Sequence, residues 1–366
     1  MPEDVTRARV GLLGAANITR LVWGSIHRAG HRVTLLGCRD AERGAAYVRE
    51  VCDALAIPAP GRPRVTTYAE VASSPEVEVV YLPVPVARRD EWVAKCVENG
   101  KHVVGEKPPA ATAEQLRHWV EALDAKELLY MDGTMLSHSK RVQAVAAAAK
   151  TLGPIKHMCS NHCLNASEEF YSKDIRMDPA LEPHGALGDL GWYSLRYFLH
   201  IMQLQLPVEV TGRILKTGGE KGAIVQFSGE LTFDVDGNKT VASMFAAFDS
   251  MDEATLTVAG TEGVLRMTDM CHPVSGKPAG WTVTKPRTVA HPCRRDTAPE
   301  VQAYSTDEHT ESQRDRMWVD VGRILYRDQT GKLLAREEPR RYWATLAWKT
   351  QAVMDRMLEC SRRHHP

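Results

Sequence analysis

The stretch Arg9-Val10-Gly11-Leu12-Leu13-Gly14-Ala15-Ala16-Asn17-Ile18-Thr19 decides how the chain reads. Its apolar start suits a short buried strand that ends at Gly14. A helical pattern then runs from Asn17 to Ala29 and closes at Gly30. A strand that turns into a helix through glycine aims backbone N–H groups and the positive end of the helix dipole at one point. Such a turn can hold a pyrophosphate. The spacing is Gly11-x-x-Gly14-x-Ala16-x-x-Thr19, with Ala16 in place of a second glycine and Thr19 in place of the third small residue of a dinucleotide fingerprint. A plain strand-to-helix turn would look the same, so the weight falls on what comes after it.

What comes after it alternates. Val33 to Gly37 is a second buried run, followed by a helical stretch from about Ala41 to Leu55 and a loop carrying Pro58, Pro60, Gly61 and Pro63. Val77 to Leu82 reads as a strand stopped by Pro83 and Pro85, Arg89 to Asn99 as a helix ended by Gly100, and His102 to Gly105 as a further strand. Thr112 and Gln115 have the spacing of a capping box, and Leu128 to Met131 closes the series. Strands alternating with helices predict an α/β fold, a doubly wound parallel Rossmann sheet. Later the character changes. Ile224 to Phe233 and Thr240 to Phe248 are strand-like around Asp236-Gly237-Asn238, a hairpin signal. Thr255 to Val258 and Val264 to Met267 flank Gly260 and Gly263, which implies an open, mostly antiparallel sheet in a C-terminal α+β domain. Pro286 to Glu311 is polar and reads as a surface loop; Tyr342 to Cys360 reads as a helix. The expected division is a dinucleotide-binding domain over 1–134 and a substrate-binding and dimerisation domain over 135–366.

The chain's 366 residues suit two domains, each large enough for its own core. Lys+Arg and Asp+Glu balance at 46 each, which argues against nucleic acid or an anionic membrane as the main partner. The N-terminus has no apolar core of a signal peptide, and no apolar run is long enough to span a bilayer, so a cytoplasmic protein is expected. The eight cysteines, Cys38, Cys52, Cys96, Cys159, Cys163, Cys271, Cys293 and Cys360, show no Cys-x-x-Cys and are expected as reduced thiols. His157-Met158-Cys159-Ser160-Asn161-His162-Cys163 is rich in metal-ligand types. In a strand, however, His157, Cys159, Asn161 and Cys163 share one face and His162 points away, which suits a tetrahedral site poorly. The expectation is a strand and no metal.

The end of the second strand selects the cofactor. An acidic residue there would hold a ribose 2′-hydroxyl; this chain has Gly37-Cys38-Arg39-Asp40. Arg39 can pair with a 2′-phosphate and Arg43 can assist, so NADP is the preferred cofactor. Asp40 keeps NAD possible. Glu106-Lys107-Pro108 follows the strand His102–Gly105, and ligands of such sheets bind beyond the carboxyl ends of the strands. Lys107 therefore falls near the nicotinamide end, where its ammonium can bind a substrate oxygen and hold developing negative charge. The plain alternative is a surface lysine on a loop. In Gly185-Ala186-Leu187-Gly188-Asp189-Leu190-Gly191-Trp192-Tyr193, a helix would put Asp189 and Tyr193 on one face. Three glycines there cost about 1 kcal/mol each relative to alanine, so they point to close approach of a backbone or a flat ligand. The bland alternative is tight helix–sheet packing with Tyr193 in the core.

Together these motifs resemble the Gfo/Idh/MocA oxidoreductase family over nearly the whole chain. The likeness rests on Gly11 to Ile18, Cys38-Arg39-Asp40, Val80-Tyr81-Leu82-Pro83, Gly100-Lys101-His102-Val103 and Glu106-Lys107-Pro108. It is strongest to the branch of dimeric dihydrodiol dehydrogenases and NADP-dependent xylose dehydrogenases, and to plant-type members sharing Met131-Asp132-Gly133-Thr134-Met135, Asp174-Ile175-Arg176 and Gly185 to Asp189. The resemblance implies that Gly11, Gly14, Ala16, Asn17, Ile18, Cys38, Arg39, Arg43, Pro83, Glu106 and Lys107 serve the cofactor, and that the C-terminal sheet forms a homodimer. It also implies that Tyr193 is the acid/base with Lys107 beside it. Asp189 would then orient Lys107 or bind a substrate hydroxyl, and Arg176 and His138 are candidate substrate contacts. The implied reaction moves hydride between the nicotinamide and a secondary alcohol or carbonyl of a sugar, polyol or trans-dihydrodiol. Two departures bear on the substrate: Val86 and Arg89 replace an Asn and a His common in that branch, and Leu136-Ser137-His138-Ser139 replaces an aromatic-Arg-aromatic-His stretch. Another class of reading is a non-catalytic, dinucleotide-sensing regulator of the same fold; Lys107, Asp189 and Tyr193 argue against it.

Overall fold

A computed structural model describes residues 4–273, 278–291, 294–306 and 312–363. The chain divides into two compact units, residues 1–138 with 311–351 and residues 139–310 with 352–366.

The first unit is built on a parallel sheet of six strands: β1 (Arg9–Leu13), β2 (Arg32–Gly37), β3 (Arg64–Thr66), β4 (Val79–Leu82), β5 (His102–Gly105) and β6 (Tyr130–Asp132). Their order is β3-β2-β1-β4-β5-β6, the doubly wound Rossmann arrangement. The crossovers are α1 (Asn17–Arg28), α2 (Ala41–Ala54), α3 (Tyr68–Ser73), α4 (Asp90–Glu98) and α5 (Ala113–Asp124). Thr112 caps α5 by accepting from the Gln115 N–H at 3.1 Å, but the Gln115 side chain reaches back to the Ala111 N–H at 3.0 Å rather than to Thr112 itself. The pattern had not shown β3, which is three residues long and follows the proline-rich loop.

By packing, the first unit reaches His138 and also takes in a later stretch of the chain. Residues 312–351 belong with the first unit, through α9 (Gln313–Ile324), the short pair β15 (Leu325–Arg327) and β16 (Leu333–Ala335), and the first half of α10 (Glu337–Arg363). Trp318, Val321, Ile324 and Leu333 join Val10, Leu12, Trp23 and Tyr81 in one core. Two buried histidines tie this return segment down. His31 accepts from the Ala8 N–H at 3.1 Å and meets the Trp318 carbonyl at 2.8 Å, and His102 accepts from the Leu129 N–H at 2.9 Å and meets the Leu333 carbonyl at 3.1 Å.

The second unit contains α6 (Lys140–Ala149), α7 (Glu168–Lys173), α8 (Trp192–Ile201) and eight strands: β7 (Ile155–Asn165), β8 (Glu209–Gly218), β9 (Ala223–Val235), β10 (Asn238–Ala247), β11 (Asp249–Gly260), β12 (Val264–Met267), β13 (Ala279–His291) and β14 (Arg294–Thr306). The sheet order is β14-β13-β12-β11-β7-β10-β9-β8. Among the described strands of this sheet only β7 and β10 pair in parallel, which gives the mostly antiparallel sheet the patterning implied. Asp236 (φ 52°) and Gly237 (φ 80°) make the two-residue turn between β9 and β10. The metal-like cluster is strand β7, with Met158, Ser160 and His162 buried and His157 exposed. Among the described residues no three His, Cys, Asp or Glu side chains converge as metal ligands. Gly212 and Gly229 let α10 lie directly on β8 and β9, since a Cβ at Gly212 would stand 2.1 Å from the Met357 carbonyl oxygen.

The polar segment after Pro286 corrects a sequence expectation. Its described part is no loop but the β13–β14 hairpin, in register from Ala279 opposite Thr306 to His291 opposite Arg294. Pro286 and Pro299 stand opposite each other in that ladder, and together with the charges they hid the alternation. The described cysteines are all free thiols; Cys293 lies outside the described residues. Among the described residues no helix is long and apolar enough to cross a membrane.

Candidate active site

In the first unit the candidate residues gather at the carboxyl ends of the parallel strands. Gly14 (φ 131°) ends β1, and a Cβ there would stand 3.2 Å from the Tyr68 hydroxyl. The turn is braced from both sides. Thr19, where the fingerprint expects a small residue, donates its hydroxyl to the Gly14 carbonyl at 3.0 Å, and the Tyr47 hydroxyl donates to the Ala16 carbonyl at 2.8 Å. Burial pushes the Tyr47 phenol up to about 12, so it stays a neutral donor. Ala16 gives α1 no side-chain cap, which leaves the first N–H groups at Asn17 and beyond to face an anion. These features fit a dinucleotide pyrophosphate. Gly11 and Ile18 support the turn from beneath: a Cβ on Gly11 would meet Val71 at 2.6 Å, and Ile18 packs on the core.

At the end of β2, Arg39 and Arg43 are exposed. Both act on the Tyr68 phenol, which burial raises and the two guanidiniums pull back. Cys38 sits under Gly44, whose added Cβ would stand 3.0 Å from the Cys38 Cβ. Asp40 is the N-cap of α2: its carboxylate accepts from the Arg43 N–H at 2.9 Å.

Glu106 and Lys107 follow β5. The Glu106 carboxylate accepts the Tyr81 hydroxyl at 2.6 Å and the Lys107 N–H at 3.2 Å, and it packs where a Cβ on Gly133 would stand. Burial, with the Glu106 charge second, drives the Tyr81 phenol well above its usual value, so it too remains a donor. Glu106 therefore serves the loop through its carboxylate. Pro83 is half-buried at the end of β4, and Val86 and Arg89 are buried. His138 has a buried side chain, with Nδ1 2.8 Å from Asp320 and its ring stacked on Trp343 at 4.0 Å between centroids. These are the surroundings of a structural histidine.

In the second unit, Leu187–Gly191 is a π-helical turn leading straight into α8, with the Trp192 N–H reaching the Leu187 carbonyl. Such turns concentrate at functional sites. The glycines explain the close fit. Gly185 has φ 48°, and a Cβ there would lie 2.4 Å from the Ile224 carbonyl oxygen; one on Gly191 would lie 2.7 Å from the Met244 methyl. Asp189 lies within the turn and Tyr193 in the first turn of α8. The Asp189 carboxylate is held by Arg176 Nε at 2.9 Å, and Arg176 Nη1 also meets Asp174 at 3.1 Å. The Asp189 charge is the main reason the Arg176 guanidinium is held above its ordinary range. The Tyr193 ring lies 5.4 Å from the His162 ring, and His162 Nδ1 donates to the Leu190 carbonyl at 3.1 Å. Tyr47, Tyr68, Tyr81 and His162 were not legible as site residues. The sequence signals were Tyr81's place in the Val80-to-Pro83 stretch and His162's place on the buried parity of β7.

The sheet order and the glycine turn define a dinucleotide-binding α/β fold of the Rossmann class. The model of the oxidoreductase family with an NAD-binding Rossmann fold, Gfo/Idh/MocA, matches residues 8–134, and that of the GFO/IDH/MocA C-terminal domain matches residues 142–266. The chain belongs to the Gfo/Idh/MocA family and is an NAD(P)-dependent oxidoreductase. Among curated relatives, a dTDP-3,4-didehydro-2,6-dideoxy-alpha-D-glucose 3-reductase of Saccharopolyspora spinosa is 28% identical over 260 residues, covering 70% of this chain and 73% of its own. The D-xylose 1-dehydrogenase (NADP(+)) 2 of Haloferax volcanii is 25% identical over 260 residues, covering 70% and 74%. The trans-1,2-dihydrobenzene-1,2-diol dehydrogenase of Sus scrofa is 26% identical over 254 residues, covering 67% and 68%. In fold, the chain superposes on a 3-ketoreductase from Actinomadura kijaniata in complex with NADP and TDP-benzene, with a TM-score of 0.74 at 17% identity and 96% of each chain covered.

Proposed function

We propose that this protein transfers hydride between NADP and a secondary alcohol or carbonyl of a sugar, polyol or trans-dihydrodiol. The relatives' names point to that substrate range: two act on sugars and one on an aromatic dihydrodiol. The observation that carries the reading is the position of Lys107. It leaves a pinned loop at the carboxyl end of β5, on the same edge of the sheet as the Gly14 turn and Arg39. When bound, the nicotinamide supplies the hydride acceptor or donor. The chain's own groups do the rest. Tyr193 takes the hydroxyl proton in oxidation and returns it in reduction. A tyrosine with an ordinary pKa near 10 is a poor base at neutral pH, and a neighbouring ammonium favours the tyrosinate. Lys107 is assigned that part. Asp189, fixed by Arg176, is assigned to orient Lys107 or to bind a substrate hydroxyl. Arg176 is then a support for Asp189, and His138 a structural residue rather than a substrate contact. NADP is favoured over NAD because Asp40 is engaged as a helix cap while Arg39 and Arg43 stay exposed beside Tyr68.

We further propose a homodimer through the sheet of the second unit and a cytoplasmic location, the latter in keeping with the free thiols of the described residues. Light scattering on the purified protein tests the dimer. The function is tested by titration with NADPH and NADH, then by a screen of sugars and dihydrodiols with the preferred cofactor. Lys107→Met and Tyr193→Phe should each abolish most turnover while still binding NADPH, and full activity in either variant would remove the assigned roles.

A further inference from the structure

We propose that Arg89 is the positioning residue for Lys107. The inference rests on the reading of Lys107 as catalytic and deepens it. Arg89, one of the two departures from the family pattern after β4, is 3% exposed. Its guanidinium points into the protein. Nη1 donates to the carbonyls of Glu106 and Pro108, and to that of Pro109 at 3.0 Å; Nε donates to the Val84 carbonyl at 2.8 Å. One side chain thus grips the backbone on both sides of Lys107 and ties it to the loop after β4. The grip is itself anchored, because the Arg89 carbonyl accepts from Trp92 and Val93 N–H at 3.0 and 2.9 Å in the first turn of α4.

A planar guanidinium suits this task, since its fixed fork of donors can satisfy several carbonyls that converge from different segments. From the other side, Glu106 holds the Lys107 N–H and is itself held by the Tyr81 hydroxyl. The backbone of Lys107 is therefore fixed by a buried cation bridging its flanks and by a carboxylate on its own N–H. Such a frame limits where the ammonium can go. Misplacing a catalytic group by about 1 Å can cost on the order of a hundredfold in rate. Arg89 thus serves to set the lysine rather than to touch a ligand.

The test reads Lys107 directly. Acetylation by N-hydroxysuccinimidyl acetate is followed by peptide mass spectrometry, with and without saturating NADPH, in the wild type, Arg89→Lys and Arg89→Gln. In the wild type, bound NADPH should protect Lys107. In the variants NADPH should bind within about twofold of the wild-type Kd, yet most of that protection should be lost. Unchanged protection in a folded variant overturns the proposal. So does failure of both variants to fold, which would make Arg89 a core residue and nothing more. If NADPH binds the wild type without protecting Lys107, it is the underlying placement of Lys107 at the nicotinamide end that fails. A second readout separates the two roles. Arg89→Lys should lower kcat for NADP⁺-linked oxidation of D-xylose by about tenfold or more with little change in KM. In a Lys107→Met background it should cost nothing further, because it acts only through that lysine.

Discussion

The Asp40 carboxylate accepts a hydrogen bond from the Arg43 N–H at 2.9 Å, capping the helix whose first turn carries Arg43. On the proposed reading, this capping role turns the carboxylate from the ribose and leaves the exposed Arg39 and Arg43 for a phosphate. Arg39→Ala should therefore weaken NADPH binding by roughly tenfold or more and leave NADH binding nearly unchanged. Asp40→Ala should cost about 1 kcal/mol of stability as a lost N-cap and leave the cofactor preference alone. Nicotinamide fluorescence titration checks both. Selective loss of NADH binding in Asp40→Ala would return that carboxylate to the ribose.

Arg176 and Asp189 form the charged pair of the second unit, with side chains 37% and 15% exposed. Replacing Arg176 with leucine leaves a half-sheltered carboxylate without its cation. The expected result is a fall in kcat of about tenfold or more with NADPH affinity unchanged, and partial recovery in Arg176→Lys. Steady-state kinetics decide the matter. A raised KM at constant kcat would instead make Arg176 a substrate contact.

The two buried histidines should make the first unit acid-sensitive. His102 accepts at Nδ1, so Nε2 carries the proton and donates to the Leu333 carbonyl; the ring is neutral. Burial lowers its pKa to about 4, and His31 is lowered for the same reason. Because the folded pKa lies below the unfolded value, this stability is present above about pH 6.5 and drains away as pH falls toward 4. Between pH 7 and pH 5, His102 alone should account for roughly 2 kcal/mol. Urea unfolding of the wild type should show that slope, and His102→Gln should flatten it. An equal slope in the variant would assign the acid sensitivity elsewhere.

Gly185 and Gly100 both have positive φ, but only Gly185 is crowded. A Cβ there would stand 2.4 Å from the Ile224 carbonyl oxygen, whereas nothing lies within 4 Å of one at Gly100. Gly185→Ala should thus cost about 2–4 kcal/mol, against about 1 kcal/mol for Gly100→Ala. Equal losses in urea unfolding would show that backbone conformation, not the close approach of β9, sets the cost.

Much of this molecule was legible because its signals are local. Apolar runs ending in glycine or proline marked β1, β2, β4 and β5, and Asp236-Gly237 marked the β9–β10 hairpin. The failures have physical causes. Strand β3 is three residues long, too short for any periodicity. The β13–β14 hairpin carries prolines and charges that mask alternation, because its long ladder is held by backbone pairing. The return of residues 312–351 to the first unit depends on Trp318 and Leu333 finding a core formed some 300 residues earlier.

By itself, the sequence determined the Rossmann class, the glycine turn, the family likeness and the residue types available for chemistry. These follow from spacings within a few residues, where helix and strand geometry leave little choice. The tertiary structure decided what each side chain is engaged in. It made Asp40 a helix cap, gave Asp189 to Arg176 and turned Arg89 inward to four carbonyls. A polar group's role depends on the partner that satisfies it once it leaves water. Here the partners of Arg89 and Asp189 come from loops 5 to 20 residues away and from a neighbouring turn, distances that no local pattern records.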